Sequence, residues 1–127
     1  MSYKKGDIVI VKFPFILKEG PEKQKGRPAL VISDDKVKKR YNDVILAAIT
    51  SQIPTTIMEP EIIVESTELA GLLKRSLLRL DFMMTIPEEL ISRKIGTLAE
   101  DHMSEVEHKL KIVFGIKNWK SKMNVGG

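Results

Sequence analysis

Apolar residues in the first half of the chain form short runs that predict β-strands. Isoleucine and valine occupy successive positions in residues 5–15 before Pro14, and residues 27–33 repeat this pattern after Pro28. β-branched residues favour strands, and proline is tolerated close to a strand end. Residues 44–49 are apolar at every position, which predicts a central strand buried on both faces and ending at a polar group.

The second half of the chain predicts further strands and a terminal helix. Strand patterns occupy residues 61–65, 76–86 and 94–98, and residues 87–91 predict a helical turn. A helix begins near residues 99–101, with acidic residues early and lysines late. Its apolar positions recur at helical spacing and are Met103, Val106, Leu110, Val113 and Phe114.

Five or six short strands followed by one helix favour a small β-barrel, because a sheet that closes on itself has no exposed edge. Two polar segments interrupt the pattern. Residues 16–26 contain glycine, proline and the basic side chains of Lys18, Lys23 and Lys25, and they predict a mobile loop. Residues 34–43 predict an exposed basic loop.

The length of 127 residues fits one domain, which we place at residues 1–120 with a flexible tail at 121–127. A hydrophobic fraction of 43% with 30% charged residues is typical of a folded protein. No apolar run approaches the roughly 18 residues of a membrane span, and the first residues lack a signal-peptide core. We therefore expect a cytoplasmic protein without a membrane partner.

Charge and residue usage narrow the possible chemistry. The net charge of +4 permits a polyanionic partner, although a basic surface that only maintains solubility explains it equally well. The chain has no cysteine, and its two histidines, His102 and His108, are six residues apart rather than at the spacing of a helical metal pair. We expect neither a metal site nor a cofactor.

Four blocks along the chain resemble the MazF/PemK family of toxin endoribonucleases. They are residues 6–15 (GDIVIVKFPF), 26–33 (GRPALVIS), 43–53 (DVILAAITSQI) and 70–86 (AGLLKRSLLRLDFMMTI). The resemblance covers nearly the whole chain. It implies a mainly β fold, an SH3-like barrel of the MazF/Kid/CcdB type with a C-terminal α-helix, which agrees with the strand pattern.

The resemblance also implies an activity. Family members are toxins of type II toxin–antitoxin systems that cut single-stranded mRNA at selected sequences without a metal ion. The ribose 2′-hydroxyl attacks the adjacent phosphate and leaves 2′,3′-cyclic phosphate and 5′-hydroxyl ends. Such a reaction passes through a doubly negative phosphorane, so the catalyst must supply positive charge, hydrogen-bond donors and proton transfer.

The family's catalytic arginine and threonine correspond to Arg27 and Thr50. We expect Arg27 to stabilise the phosphorane, since a guanidinium stays protonated and binds two phosphate oxygens. Thr50 would donate to a nonbridging oxygen. The alternatives are an arginine that covers the end of the barrel and a threonine that only favours the strand. Ser51 and Gln52 are candidate contacts to phosphate or base. The loop at residues 16–26 is expected to bind RNA through Lys18, Lys23 and Lys25.

In one branch of the family an arginine and an aspartate two residues apart also line the site, and they correspond to Arg79 and Asp81. This spacing on a strand directs both side chains to one face. Asp81 could orient Arg79, accept a hydrogen bond from the edge of an RNA base, or act as the general base of the reaction. The alternative is a surface ion pair worth at most about 1 kcal/mol.

The chain departs from the family pattern directly after Asp81. Many members have glutamine and a basic residue there, whereas this chain has Phe82, Met83 and Met84. Family RNA contacts at these positions cannot be transferred. Phe82 could stack on a base, although a place in the core or in a dimer interface is the simpler expectation.

The resemblance further implies partners, namely single-stranded RNA, a second copy of the chain in a homodimer, and an acidic antitoxin that blocks the RNA groove. Two other functions remain open. One is a CcdB-like toxin that binds gyrase on the same barrel, and the other is an RNA-binding relative without catalytic activity.

Overall fold

The computed structural model describes residues 2–12 and 26–117. Six antiparallel strands form one sheet in the order β4-β5-β3-β2-β1-β6, and a C-terminal helix packs on it. The elements are β1 (Asp7–Lys12), β2 (Gly26–Val31), β3 (Asp43–Thr50), β4 (Glu61–Val64), β5 (Ser76–Pro87), β6 (Ile91–Thr97) and α1 (Glu100–Val113). The predicted mainly β fold with a terminal helix is confirmed.

The two edges of the sheet are joined by the loop between β4 and β5. The Thr97 amide of β6 donates a 2.9 Å hydrogen bond to the Leu69 carbonyl in this loop. Two glycines permit the close approach. A Cβ on Gly71 would stand 2.7 Å from the carbonyl carbon of Ile95, and one on Gly96 would stand 2.5 Å from the Leu69 oxygen. The loop therefore closes the sheet through contacts between backbones.

The interior strands bury both of their faces, which the sequence pattern predicts for residues 44–49. On β1, Ile8 belongs to one apolar cluster, while Val9 belongs to a second cluster on the opposite face. On β3, Leu46 and Ala47 contribute to different clusters and are almost fully buried. The prediction is wrong for Ile45, which is 40% exposed.

The helix α1 is attached through one apolar face. Val106 is fully buried, and Met103, Leu110 and Val113 pack around it. Phe114 departs from the prediction, since the helix ends at Val113 and the side chain is 60% exposed. The chain turns at Gly115, whose φ of +67° is a conformation that favours glycine.

The other predicted elements differ from the structure mainly in their bounds. A 3₁₀ turn at Glu88–Leu90 confirms the helical turn, whereas β6 begins earlier than predicted because Ile91 pairs with β1. Residues 34–42 are exposed. Residues 13–25, with most of the predicted mobile loop, and the tail at 121–127 lie outside the described residues. Within the described residues, no helix is both long and apolar enough to cross a membrane.

Candidate functional site

A cleft of about 880 Å³ opens at one end of the sheet, where β2 begins and β3 ends. Its size falls within the range of about 300 to 1,000 Å³ that is typical of ligand sites. The cleft is lined by Ile10, Gly26, Arg27, Pro28, Ile49, Thr50, Ser51, Gln52, Gly71, Leu72, Leu73, Lys74, Ser76, Arg93 and Ile95. The structure thus brings together four of the residues that the sequence singled out.

Arg27 and Thr50 are placed by the pairing of their strands. Ala29 of β2 lies opposite Ala48 of β3, and the same register continued toward the cleft sets Arg27 opposite Thr50. Side chains opposite each other in an antiparallel pair project to the same face of the sheet. Both side chains are partly buried. The cation and the hydroxyl are therefore held on neighbouring rigid strands.

The hydroxyl of Thr50 takes part in a local turn. Its Oγ1 accepts a 3.1 Å hydrogen bond from the Gln52 amide. A threonine hydroxyl accepts and donates at the same time, so this bond orients the oxygen while its proton remains able to point to a ligand. Ser51 and Gln52 follow on the exposed rim of the cleft.

The cleft has an apolar floor and a basic rim. The lining side chains of Ile10, Pro28, Ile49, Leu72 and Ile95 are apolar, and no aspartate or glutamate is found among the described residues that line the cleft. Arg27, Lys74 and Arg93 supply three positive charges. This arrangement can hold a ligand that combines an anionic part with an apolar part.

Three of the lining polar residues were missed by the sequence analysis. Lys74 lies near the end of the loop between β4 and β5, and Arg93 lies on β6, directly across from Ile10. Ser76 is buried and donates a 2.8 Å hydrogen bond to the Lys74 carbonyl. A basic residue on an exposed strand carries no local signal of function, and only the pairing of β6 with β1 places Arg93 here.

Arg79 and Asp81 form the predicted pair, but outside the residues that line this cleft. Arg79 donates two hydrogen bonds to Asp81, from Nε to Oδ1 at 3.2 Å and from Nη2 to Oδ2 at 3.1 Å. These hydrogen bonds lower the pKa of Asp81 and raise that of Arg79. The Arg79 guanidinium also lies 5.3 Å from the centroid of the half-buried Phe82 ring. Phe82 therefore supports Arg79 and belongs to neither apolar cluster.

The pairing of β5 with β3 is irregular where Asp81 and Phe82 lie. Ala47 of β3 pairs with Met83, but its neighbour Ala48 pairs with Arg79, so that residues 80–82 have no partner on β3. The amide of Leu80 instead donates to the carbonyl of Pro60 at 3.0 Å. Such irregularities redirect side chains and are frequent beside functional sites.

Five further residues were named in the sequence analysis. Lys18, Lys23 and Lys25 lie outside the described residues. His102 and His108 are on α1 rather than in the cleft. Among residues 2–12 and 26–117, no three His, Asp or Glu side chains are grouped so that they could hold a metal ion.

Comparison with known proteins finds one matching family. The family model for PemK-like, MazF-like toxins of type II toxin–antitoxin systems matches residues 4–114. A curated protein of Mycolicibacterium smegmatis, named "Probable endoribonuclease MazF", is 29% identical over 92 residues, which are 72% of this chain and 83% of that protein.

Solved structures share the fold. The Mycobacterium tuberculosis toxin MazF-mt6 superposes with a TM-score of 0.69 at 22% identity and covers 88% of this chain and 99% of its own. A MazE–MazF structure from Deinococcus radiodurans gives a TM-score of 0.71 at 17% identity, with 92% and 99% covered. An endoribonuclease in complex with its cognate antitoxin, from a mycobacterial species, gives 0.71 at 12% identity, with 92% and 99% covered.

Proposed function

Since the chain belongs to the family of PemK-like, MazF-like toxins of type II toxin–antitoxin systems, we propose that it is an endoribonuclease that cuts single-stranded mRNA at selected sequences. The M. smegmatis relative is named a probable endoribonuclease. The observation that carries the proposal is the cleft that holds both Arg27 and Thr50 at facing strand ends.

The proposed reaction is an attack of the ribose 2′-oxygen on the adjacent phosphorus. The 2′-hydroxyl loses its proton to water as its oxygen bonds to phosphorus, the bond from phosphorus to the 5′-oxygen breaks, and the leaving oxygen takes a proton from water. A 2′,3′-cyclic phosphate and a 5′-hydroxyl remain. Arg27 would pair with two phosphate oxygens as negative charge develops, and the Thr50 hydroxyl would donate to a nonbridging oxygen. Both groups sit on strands, so little reorganisation is needed. No metal ion is assigned a role.

The geometry favours a positioning role for Asp81. A general base works best when its pKa lies near the working pH, and the paired Arg79 moves the pKa of Asp81 in the opposite direction. Asp81 would hold Arg79 at a fixed place beside the cleft. Arg79 then contributes positive charge near the bound RNA rather than a transferred proton.

The partners follow from the family and the charge. We expect a homodimer in the cytoplasm that is neutralised by an acidic antitoxin. The cleft with its basic rim is the surface that such an antitoxin segment would cover. A neighbour of the same fold has been solved in complex with its cognate antitoxin.

The test is cleavage of a long single-stranded RNA in EDTA, with mapping of the ends. Wild-type protein is expected to give selective cuts that end in 2′,3′-cyclic phosphate. Arg27→Ala and Thr50→Ala should abolish them, while Arg40→Ala, an exposed arginine in the 34–43 loop, should cleave normally. Arg27→Lys should retain only part of the activity, because lysine keeps the charge and loses the two-point contact.

Two outcomes would overturn the proposal. Intact RNA with tight RNA binding would indicate an inactive RNA-binding relative. Intact RNA without binding would favour a toxin that acts on a protein, and capture of purified gyrase would then test the CcdB-like alternative.

A further inference from the structure

We propose that Arg93 binds a second phosphate of the RNA strand and so positions the substrate, without taking part in bond cleavage. This inference deepens the proposed function and rests on it. The reason begins with the place of Arg93, which lies on β6 and lines the same cleft as Arg27 and Thr50.

The strand pairing sets the distance between the two arginines. β1 lies between β2 and β6, and Ile10 of β1 pairs with Pro28 on one side and with Arg93 on the other. Neighbouring strands are about 4.8 Å apart, so the backbones that carry Arg27 and Arg93 are separated by roughly 10 Å. Arg27 is the neighbour of Pro28 and pairs with Val11, so its side chain leaves the face of the sheet opposite to that of Arg93, and both side chains line the cleft at the strand ends. Two guanidinium groups separated in this way suit two phosphates of one strand rather than a single phosphate.

Arg93 and its neighbour Lys94 differ in whether they form an ion pair with another described residue. Lys94 projects to the other face of β6 and forms a 3.2 Å ion pair with the buried carboxylate of Asp7. Among the described residues, Arg93 forms no such pair, and it is exposed. Because side chains alternate along the strand, Lys94 pairs with Asp7 on one face while Arg93 lines the cleft on the other.

The wall that carries Arg93 is rigid. The contacts of Gly71 with Ile95 and of Gly96 with the backbone of Leu69 fasten β6 to the loop that leads to Lys74. A cation on a fixed strand loses little freedom when it binds, which improves its contribution to substrate affinity. The floor residue Ile10 lies between Arg93 and Pro28, so a base or a ribose between the two phosphates would rest on apolar surface.

The test compares Arg93→Gln with Arg75→Gln. Both changes remove one positive charge, but Arg75 lies outside the cleft lining and forms an exposed ion pair with Glu65. Binding is measured by fluorescence anisotropy with a short 2′-O-methyl RNA of mixed sequence, which cannot be cleaved because its 2′-oxygens are blocked. The affinity is recorded between about 50 and 200 mM salt.

Arg93→Gln should weaken binding on the order of tenfold at low salt and reduce the slope of log affinity against log salt by about 0.7, the value for one phosphate contact with a single strand. Arg93→Lys should restore the slope. Arg75→Gln should match the wild type. In cleavage assays Arg93→Gln should raise KM and leave kcat unchanged, as expected for contacts made equally in the ground and transition states.

If the wild type cleaves RNA and Arg93→Gln shows the same salt slope as Arg75→Gln, the second phosphate contact is wrong and the proposed function stands. A fall in kcat at unchanged KM would also overturn the positioning role. If the wild type neither binds nor cleaves RNA, this inference fails together with the proposed function.

Discussion

The backbone of Gly71 lies directly against the carbonyl group of Ile95, where no Cβ atom fits. Gly71 also has a φ of +73°, in the left-handed region. This contact joins the loop between β4 and β5 to β6, and with it the two edges of the sheet. The cleft depends on the contact, because its walls at Lys74 and Arg93 belong to the two joined segments.

Gly71→Ala should therefore destabilise the protein strongly. The left-handed backbone and the steric overlap together should cost about 2 to 5 kcal/mol, measured by urea unfolding. Gly115→Ala is the matched control, because Gly115 has a φ of +67° and no atom within 4 Å of an added Cβ. Its cost should be only about 1 to 2 kcal/mol. Equal losses in the two variants would show that the contact with Ile95 gives way easily.

Thr50 can be tested by keeping its shape and removing its hydroxyl. Thr50→Val should reduce kcat by about 10² to 10³, the usual loss for one donor to a developing negative charge, and it also removes the acceptor of the Gln52 amide. Thr50→Ser keeps both functions of the hydroxyl and should retain most of the activity. Full activity in Thr50→Val would remove Thr50 from the proposed reaction.

The Arg79–Asp81 pair should influence stability in a pH-dependent way. Its hydrogen bonds lower the pKa of Asp81 in the folded protein. The pair therefore stabilises the fold above the ordinary carboxyl pKa of about 3.9, and this stabilisation is lost as the pH falls through the lower folded value. Because both side chains are more than a third exposed, the contribution at neutral pH should stay below about 1 kcal/mol.

Asp81→Asn is expected to unfold at slightly lower temperature than the wild type at pH 7, and the difference should shrink as the pH falls through the lowered folded pKa of Asp81. Thermal unfolding across this range is the measurement. Asp35→Asn, in an exposed loop, serves as a control for the change of charge. A difference for Asp81→Asn that persists in strong acid would have another cause.

The attachment of α1 rests on Val106. Val106→Ala removes fully buried methyl groups and should cost about 1 to 3 kcal/mol in unfolding free energy. Ile112→Ala on the same helix removes a larger side chain that is 41% exposed, and it should cost less. The reverse order would mean that the outer face of the helix is covered in solution.

Local sequence pattern was sufficient for most of the strands and for the helix. Continuous runs of apolar and β-branched residues marked β1 and β3, because each strand buries side chains on both of its faces. The contact between Gly71 and Ile95 could not be foreseen, since it joins segments that meet only in the finished fold. Phe114 fitted the helical spacing but lies at the C-cap, beyond the last turn that packs on the sheet.

The residues of the candidate site were likewise predicted only where a local motif marked them. Arg27 and Thr50 were predicted through motifs that a family resemblance supplies, and the register of β2 and β3 brings them to one cleft. Arg79 and Asp81 were correctly paired, but they are not among the residues that line the cleft. No motif marked Arg93, because its place in the cleft depends on the pairing of β6 with β1, which is distant in sequence.

The contrast between the apolar floor and the basic rim of the cleft has a consequence for inhibitor chemistry. A small molecule that fits must present a flat, uncharged ring to Ile10, Ile49 and Leu72 while it carries an acidic group toward Arg27 or Arg93. Aryl phosphonates and aromatic carboxylates have this form, whereas amines and other cationic fragments should be repelled. A fragment library for this protein should accordingly be weighted toward aromatic acids.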